Sequence, residues 1–461
     1  MLEVISPYDF KLIKEIPLMG EHDVENALQK AYGLFTNKSF WLPAWHRIEI
    51  LERVVEIMKE RSEHLTQIAT EEGGKPYIDS KIEVDRAING VKLAIAHIGQ
   101  LSGEQIPMGQ TKSSVNRLAF TIREPIGVVA SISAFNHPLN LIIHQTVTAI
   151  AAGAPVIVKP ALTTPLSCLE FMNILVEAGL PEGWCQALIC NNENAEKLVT
   201  DSRINYLSFI GSAKVGWYLR SKLSPGTQCA LEHGGAAPVI VEPDADIEDM
   251  LPAILKGGFY HAGQVCVSVQ RVFIHENIVD EVSGKFANMA SKLKVGDPLD
   301  PKTEVGPLIL PHEVDRVESW VNEAIDSGGK LLCGGKRISN SCYEPTVILN
   351  PPGDAKVSTQ EIFGPLVCIY SYKNIDEAIN LANALPMAFQ AAIFTKNIDI
   401  ALGAVKKLVA SAVMVNDHTA FRVDWMPFGG RDGSGIGTGG IPYSINEMTR
   451  EKLIVVKSSS I

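Results

Sequence analysis

The stretch GVVASISAFNHPLNLIIHQTVTAIAAGAPVIVKP, residues 127–160, decides the reading of the fold. Residues 127–133 form a continuous apolar run of strand length, as expected of a strand buried on both faces. Residues 138–151 space their apolar side chains as a helix does, and residues 155–159 return to a strand. Strand, helix, strand within about thirty residues is the unit from which parallel sheets are built. The pattern continues outward, with a helix over 165–178 and strands at 187–189 and 206–210. A doubly wound, Rossmann-like α/β domain is the expectation. A second α/β region opens near Glu232, with a strand at 239–241, a helix over 247–261 and a strand at 271–275.

The flanks read differently. Asp23 is placed to cap a helix over 24–35; residues 47–68 and 80–101 also carry helical spacing. Residues 118–123 (LAFTIR) alternate like a strand with one open face, and 452–457 (KLIVVK) read as an edge strand in need of a partner, which another subunit could supply. The glycine-rich segment 428–440 reads as a loop returning to the first domain. The expected organisation is a Rossmann-like domain from 1–102 and 127–231, a second α/β domain over 232–430, and a small β oligomerisation arm from 103–126 and 446–461.

Length and composition bound the function. At 461 residues, two or three domains are expected. The apolar share of 46% and charged share of 20% suit a large buried core. A net charge of -11 argues against nucleic acid or an anionic membrane as partner. The first ten residues, MLEVISPYDF, lack a secretory pattern, and no apolar run is long enough to span a bilayer, so a cytoplasmic location is expected. None of the eight cysteines forms a CxxC pair, so neither zinc nor a dithiol site is expected.

Five positions could carry chemistry. Cys266 follows a flexible Gly263-Gln264-Val265 turn; it is either a nucleophile or a small buried hydrophobe. Glu232 ends an apolar run before Gly234 and Gly235, as a general base or as a cap or ion-pair partner. Asn136, between a strand and a helix, could donate to an oxyanion or simply cap the helix. Gly211-Ser212-Ala213-Lys214-Val215-Gly216 closes a strand and opens a helix, a place that suits a pyrophosphate but also a common turn. Lys159 could meet a ribose or phosphate, or only solvent.

Taken in order, Phe135-Asn136-x-Pro138, Lys159-Pro160, Phe209-x-Gly211-Ser212, Leu231-Glu232-x-Gly234-Gly235, Gly263-Gln264-x-Cys266, Glu361-x-Phe363-Gly364-Pro365 and Pro427-Phe428-Gly429-Gly430 with Ser434-Gly435 resemble the aldehyde dehydrogenase superfamily. The resemblance runs from about Val4 to the C-terminus. It implies an enzyme that oxidises an aldehyde to a carboxylate with NAD or NADP, without a metal, as a homodimer or homotetramer. It implies Cys266 as nucleophile, Asn136 and the Cys266 N–H as oxyanion donors, and Glu232 as the base that activates water. Lys159, Gly211, Ser212, Phe135, Val215, Glu361 and Phe363 would hold the cofactor.

Three departures from the family pattern stand out. Ala236 and Ala237 follow the Gly pair where many relatives have a lysine, and Gln145 stands where another lysine is frequent. Leu162 replaces the glutamate that bonds the ribose 2′-OH in many NAD-preferring relatives; both cofactors are therefore expected, with NAD slightly favoured. In this family the helix after the asparagine and the loop before Pro427 line the substrate tunnel. Here they carry His137, Asn140 and His144, and Phe421 and Arg422, a polar lining that resembles relatives acting on short polar or anionic aldehydes such as phosphonoacetaldehyde and lactaldehyde. Arg422 could instead pair with Asp417 or Asp424 and brace the loop. A CoA-acylating enzyme and a non-catalytic relative are the competing readings; both Cys266 and Glu232 are retained, which weighs against them.

Overall fold

Val128 and Ala130 pack on one side of their strand and Val129 on the other, so the central strand is covered on both faces by apolar layers. The computed structural model describes residues 1–461. In it, the strand Val128–Ile132 lies between Val156–Lys159 and Ile204–Ile210, parallel to both. The sheet is completed by Cys185–Ala187 on one edge and by Gln228–Glu232 and the short antiparallel Gly435–Ile436 on the other. One face packs on helices from the N-terminal hundred residues, through Leu51, Met58, Val84 and Val91. The chain reverses its winding direction at Val128–Ile132. Loops leaving the C-terminal ends of that strand and of Ile204–Ile210 therefore diverge and leave a crevice, the usual ligand position in such sheets.

A second sheet of seven strands is built on Ala237–Val241, Val269–His275 and Leu366–Tyr372. All its pairings are parallel except that of Lys330–Cys333 with Thr346–Leu349 at one edge. Three further strands form a separate antiparallel sheet in which Thr449–Lys457 pairs along its whole length with Arg117–Pro125. The terminal strand thus finds one partner within the chain. Its outer edge stays open, with Leu453, Val455 and Val456 exposed.

Two local expectations are corrected. Asp23 is not the cap of the first helix, Glu21–Thr36; Gly20 is, and the Gly20 N–H donates to the Asp23 carboxylate at 2.7 Å. The helical stretch 47–68 is broken at Arg61 into Ala44–Glu60 and Ser62–Gly73. No helix is long and apolar enough to cross a membrane.

The helices that follow the central strands are capped from a distance. Glu83 Oε1 accepts the N–H groups of Leu139 and Asn140 at 2.9 and 3.0 Å, at the start of Asn140–Ala152. Glu72 does the same for Leu166 and Ser167 at the start of Leu166–Glu177. Glu83 also pairs with Lys75, and both side chains are fully buried. A carboxylate at a helix N-terminus satisfies orphan amides and complements the helix dipole. These buried charges fix the crevice wall where Asn136 and Lys159 sit.

Candidate active site

The cysteine is held by an unusual turn. The helix Ile247–Phe259 ends in Tyr260–Gly263, where His261, Ala262 and Gly263 are all left-handed, with φ of 49°, 54° and 70°. Three such residues in succession are costly outside glycine and mark a conformation held by its surroundings. The next residue, Gln264, is buried and pinned: its Oε1 accepts from Ile309 N at 3.0 Å and its Nε2 donates to Pro307 O at 3.2 Å. Cys266 follows on the crevice wall, and its N–H makes no backbone hydrogen bond.

Glu232 ends the strand Gln228–Glu232, and its Oε1 lies 3.8 Å from Cys266 Sγ. The loop after it is anchored by Ser434, whose Oγ donates to Gly234 O at 2.9 Å and accepts from Ala388 N at 3.1 Å. Burial raises the pKa of Glu232, against the pull of Arg422 and of the thiol. Burial, and then the Glu232 charge, hold the Cys266 thiol well above its usual range, again opposed by Arg422. Asn136 comes from the opposite wall. It is not a helix cap: its Nδ2 donates to Gln264 O at 2.9 Å, joining the two walls two residues from the cysteine. A thiol, a carboxylate and an amide donor meet here, as nucleophilic addition to a carbonyl and hydrolysis of the adduct require.

A single cleft of about 720 Å³ runs from this cluster to Lys159. Phe135, Asn136, Lys159, Gly211, Ser212, Val215, Glu361 and Phe363 all line it. Phe135 and Phe363 meet edge to face at 5.8 Å. Glu361 Oε1 is buried without a hydrogen-bond partner, and burial pushes its pKa up to about 8. A Cβ at Gly234 would lie 1.7 Å from that oxygen, so the glycine is what admits the carboxylate. An orphan acceptor in an open cleft suits a ribose hydroxyl, and the Gly211-Ser212 helix start suits a phosphate. The residues therefore fit a nicotinamide dinucleotide. At the Lys159 end, Leu162, Thr163 and Asn192 form the wall. Gln145 sits deeper, its Nε2 donating to Ile132 O and Ser208 O at 3.0 and 3.1 Å, and so ties the two central strands together at the reversal point.

The expected substrate residues separate into two groups. His137, Asn140 and Arg422 line the cleft; His144 and Phe421 do not. Phe421 is exposed. His144 is buried behind the wall, its Nε2 2.8 Å from Asp424 Oδ1. His137 meets Tyr260 Oη at 2.9 Å, and burial, with the nearby Lys75 and arginines, lowers its pKa so that it is neutral. Arg422 does not pair with Asp424. That carboxylate is taken by Arg86, through Nη2 at 2.7 Å and Nε at 3.1 Å. Burial opposes ionisation of Asp424, but His144 and Arg86 outweigh it and keep its pKa low. Arg422 has no carboxylate within ion-pair distance; its guanidinium stacks on Phe428 at 3.6 Å and its Nε has no partner. The sequence reading missed Arg86, Tyr260 and Glu83. None of the three had a local signal: Arg86 shares its helix with the exposed Lys81, Asp85 and Lys92, from which sequence alone does not separate it.

The sequence pattern of the aldehyde dehydrogenase family matches residues 1–454. The chain is 38% identical over 456 residues to the 3-sulfolactaldehyde dehydrogenase of Priestia aryabhattai, covering 99% of this chain and 94% of that one. It is 38% identical over 460 residues to the lactaldehyde dehydrogenase of Methanocaldococcus jannaschii, covering 99% and 97%. Among solved structures, an aldehyde dehydrogenase from Physcomitrella patens in complex with the reaction product succinate superposes with a TM-score of 0.96 at 35% identity, over 99% of this chain and 95% of that one. A glyceraldehyde-3-phosphate dehydrogenase from Methanocaldococcus jannaschii complexed with NADP gives 0.94 at 37% identity, over 99% of both. With the match running almost from end to end, this chain belongs to the aldehyde dehydrogenase family and is an NAD(P)-dependent oxidoreductase of aldehydes.

Proposed function

We propose that the enzyme oxidises a short anionic aldehyde to its carboxylate through a thioester on Cys266. The observation that carries the substrate class is Arg422: a guanidinium on the wall that holds Cys266 and Glu232, with no carboxylate partner of its own. Arg422 is half-buried, and a cation partly removed from water is costly unless a ligand supplies the counter-charge; a guanidinium matches carboxylate, phosphonate or sulfonate by a two-pronged hydrogen bond. The names of the sulfolactaldehyde relative and of the succinate-bound structure support the same chemistry.

In this reading Cys266 gives up its proton to solvent and adds as the thiolate to the aldehyde carbon, while Asn136 Nδ2 and the Cys266 N–H donate to the oxygen that gains charge. NAD(P), when bound, supplies the hydride acceptor. Lys159, Ser212 and Glu361 would hold it, with Phe135, Phe363, Val215 and Gly211 shaping its bed. Cys266 keeps the acyl group as a thioester. Glu232, 3.8 Å from the sulfur, then takes a proton from the attacking water. Its raised pKa makes it a stronger base than an exposed carboxylate. The same proximity favours hydrolysis over transfer to CoA, and adding CoA to the assay should yield no acyl-CoA. We take the domain division to be that expected from sequence, with the open edge of Thr449–Lys457 serving assembly into a dimer or tetramer in the cytoplasm.

The test compares kcat/KM for succinate semialdehyde with that for pentanal, in the wild type and in Arg422→Ala. A charged hydrogen bond contributes about 1.5–3 kcal/mol, so the preference for the anion should fall by roughly 10- to 100-fold in the variant. Equal losses for both aldehydes would make the arginine structural.

A further inference from the structure

Arg422 raises a physical problem. To bind an anion it must be held in place, yet a carboxylate holding it would neutralise it. The neighbours of Arg422 resolve this. Asp424 Oδ1 accepts from Arg86 Nη2 at 2.7 Å and lies 2.8 Å from His144 Nε2, with Asn140 Nδ2 at 3.4 Å. A carboxylate is an acceptor only, so the His144 proton must sit on Nε2. That leaves a lone pair on Nδ1, and Nδ1 faces Arg422 Nη2 at 3.5 Å. Phe428 supports the guanidinium from its flat side.

We infer that His144 is a positioning residue for substrate selectivity: its Nδ1, fixed as an acceptor by Asp424, holds Arg422 toward the cleft without removing its charge. The side chain is 6% exposed and stands behind the wall, so it acts through the arginine and does not touch the substrate. Burial and the two arginines depress its pKa to about 4 although Asp424 opposes them, which keeps the ring neutral at working pH. The inference rests on the reading of Arg422 as the anion anchor.

Two substitutions separate acceptor from packing. In His144→Asn the side-chain oxygen can occupy the place of Nδ1. In His144→Gln the amide reaches the place of Nε2 and leaves no acceptor facing Arg422. The readout is the ratio of kcat/KM for succinate semialdehyde to that for pentanal, with thermal melting to establish folding. His144→Asn should stay within about threefold of the wild-type ratio, whereas His144→Gln should lose about tenfold, mainly through KM for the anion. In an Arg422→Ala background His144→Gln should change the ratio no further, as two residues acting through one contact are not additive. Equal losses in both histidine variants, no loss in His144→Gln, or a further loss in the double variant would overturn the inference. If His144→Gln is not recovered folded, a tenfold loss in His144→Asn overturns it and a retained ratio supports it. An unchanged ratio in Arg422→Ala alone would instead remove the anion anchor, and the role of His144 with it.

Discussion

Gly263→Ala perturbs the catalytic cluster through the backbone alone. Gly263 has φ of 70°, a region that costs a residue with a Cβ about 1–2 kcal/mol. The larger effect is steric. A Cβ at this position would lie 2.1 Å from Gly364 O and 2.8 Å from its carbonyl carbon. A close C···O contact is about 3.3 Å, so the two backbones must part by about 1 Å. Gly364 belongs to the loop that carries Glu361 and Phe363, and Gly263 precedes Cys266 by three residues, so the separation moves nucleophile and cofactor loop apart. A misplacement of about 1 Å at a reacting centre can cost about 10²-fold in rate. The expected outcome is a melting temperature lowered by a few degrees and kcat/KM reduced about 100-fold, measured by differential scanning fluorimetry and by absorbance of the reduced cofactor. Native turnover in a folded Gly263→Ala enzyme would refute the claim that this turn sets the position of Cys266.

Two further outcomes concern the two ends of the same cleft. Because burial and Glu232 raise the Cys266 pKa while Arg422 lowers it, the alkylation rate with iodoacetamide should keep rising above pH 9. Glu232→Gln should move that profile to lower pH and Arg422→Ala to higher pH; slower alkylation in Glu232→Gln at every pH would mean that the carboxylate deprotonates the thiol instead. With Leu162 on the cleft wall near Lys159, NAD and NADP should both support turnover, with a preference below about a thousandfold, roughly 4 kcal/mol. Leu162→Glu should weaken NADP selectively, and an unchanged ratio would place the discrimination elsewhere.

The fold was legible where burial leaves a one-dimensional trace. Residues 127–133, 155–159 and 239–241 lie in parallel strands covered on both faces, and such strands read as unbroken apolar runs. The pairing of Thr449–Lys457 was not legible, because an alternating edge strand does not encode which strand it joins. At the site, the ordered motifs led to Cys266, Glu232 and Asn136, and the cleft brings them together. What escaped were charges that look solvated in sequence and are buried in space. Glu72 and Lys75 stand in the turn-like run EEGGKP, residues 71–76, where charges are usually solvated, yet one caps a distant helix and the other pairs with Glu83 in the core. Arg86 and Asp424 are 338 residues apart, so nothing local says that they pair and leave Arg422 free. The helical spacing grouped His144 with His137, but the ring turns to Asp424 behind the wall.

The central claim is that Cys266 carries the acyl group and Glu232 activates the water that removes it. Glu232→Gln keeps the shape of the side chain but cannot accept that proton. Mixed with aldehyde and NAD(P) in a stopped-flow instrument, the variant should give a burst of reduced cofactor close to one equivalent per active site, followed by a steady rate lower by about 10²–10⁴-fold. Intact-protein and peptide mass spectrometry of the stalled enzyme should then find the acyl group on Cys266. Full steady turnover by Glu232→Gln, or a burst with Cys266 unmodified, would contradict the account.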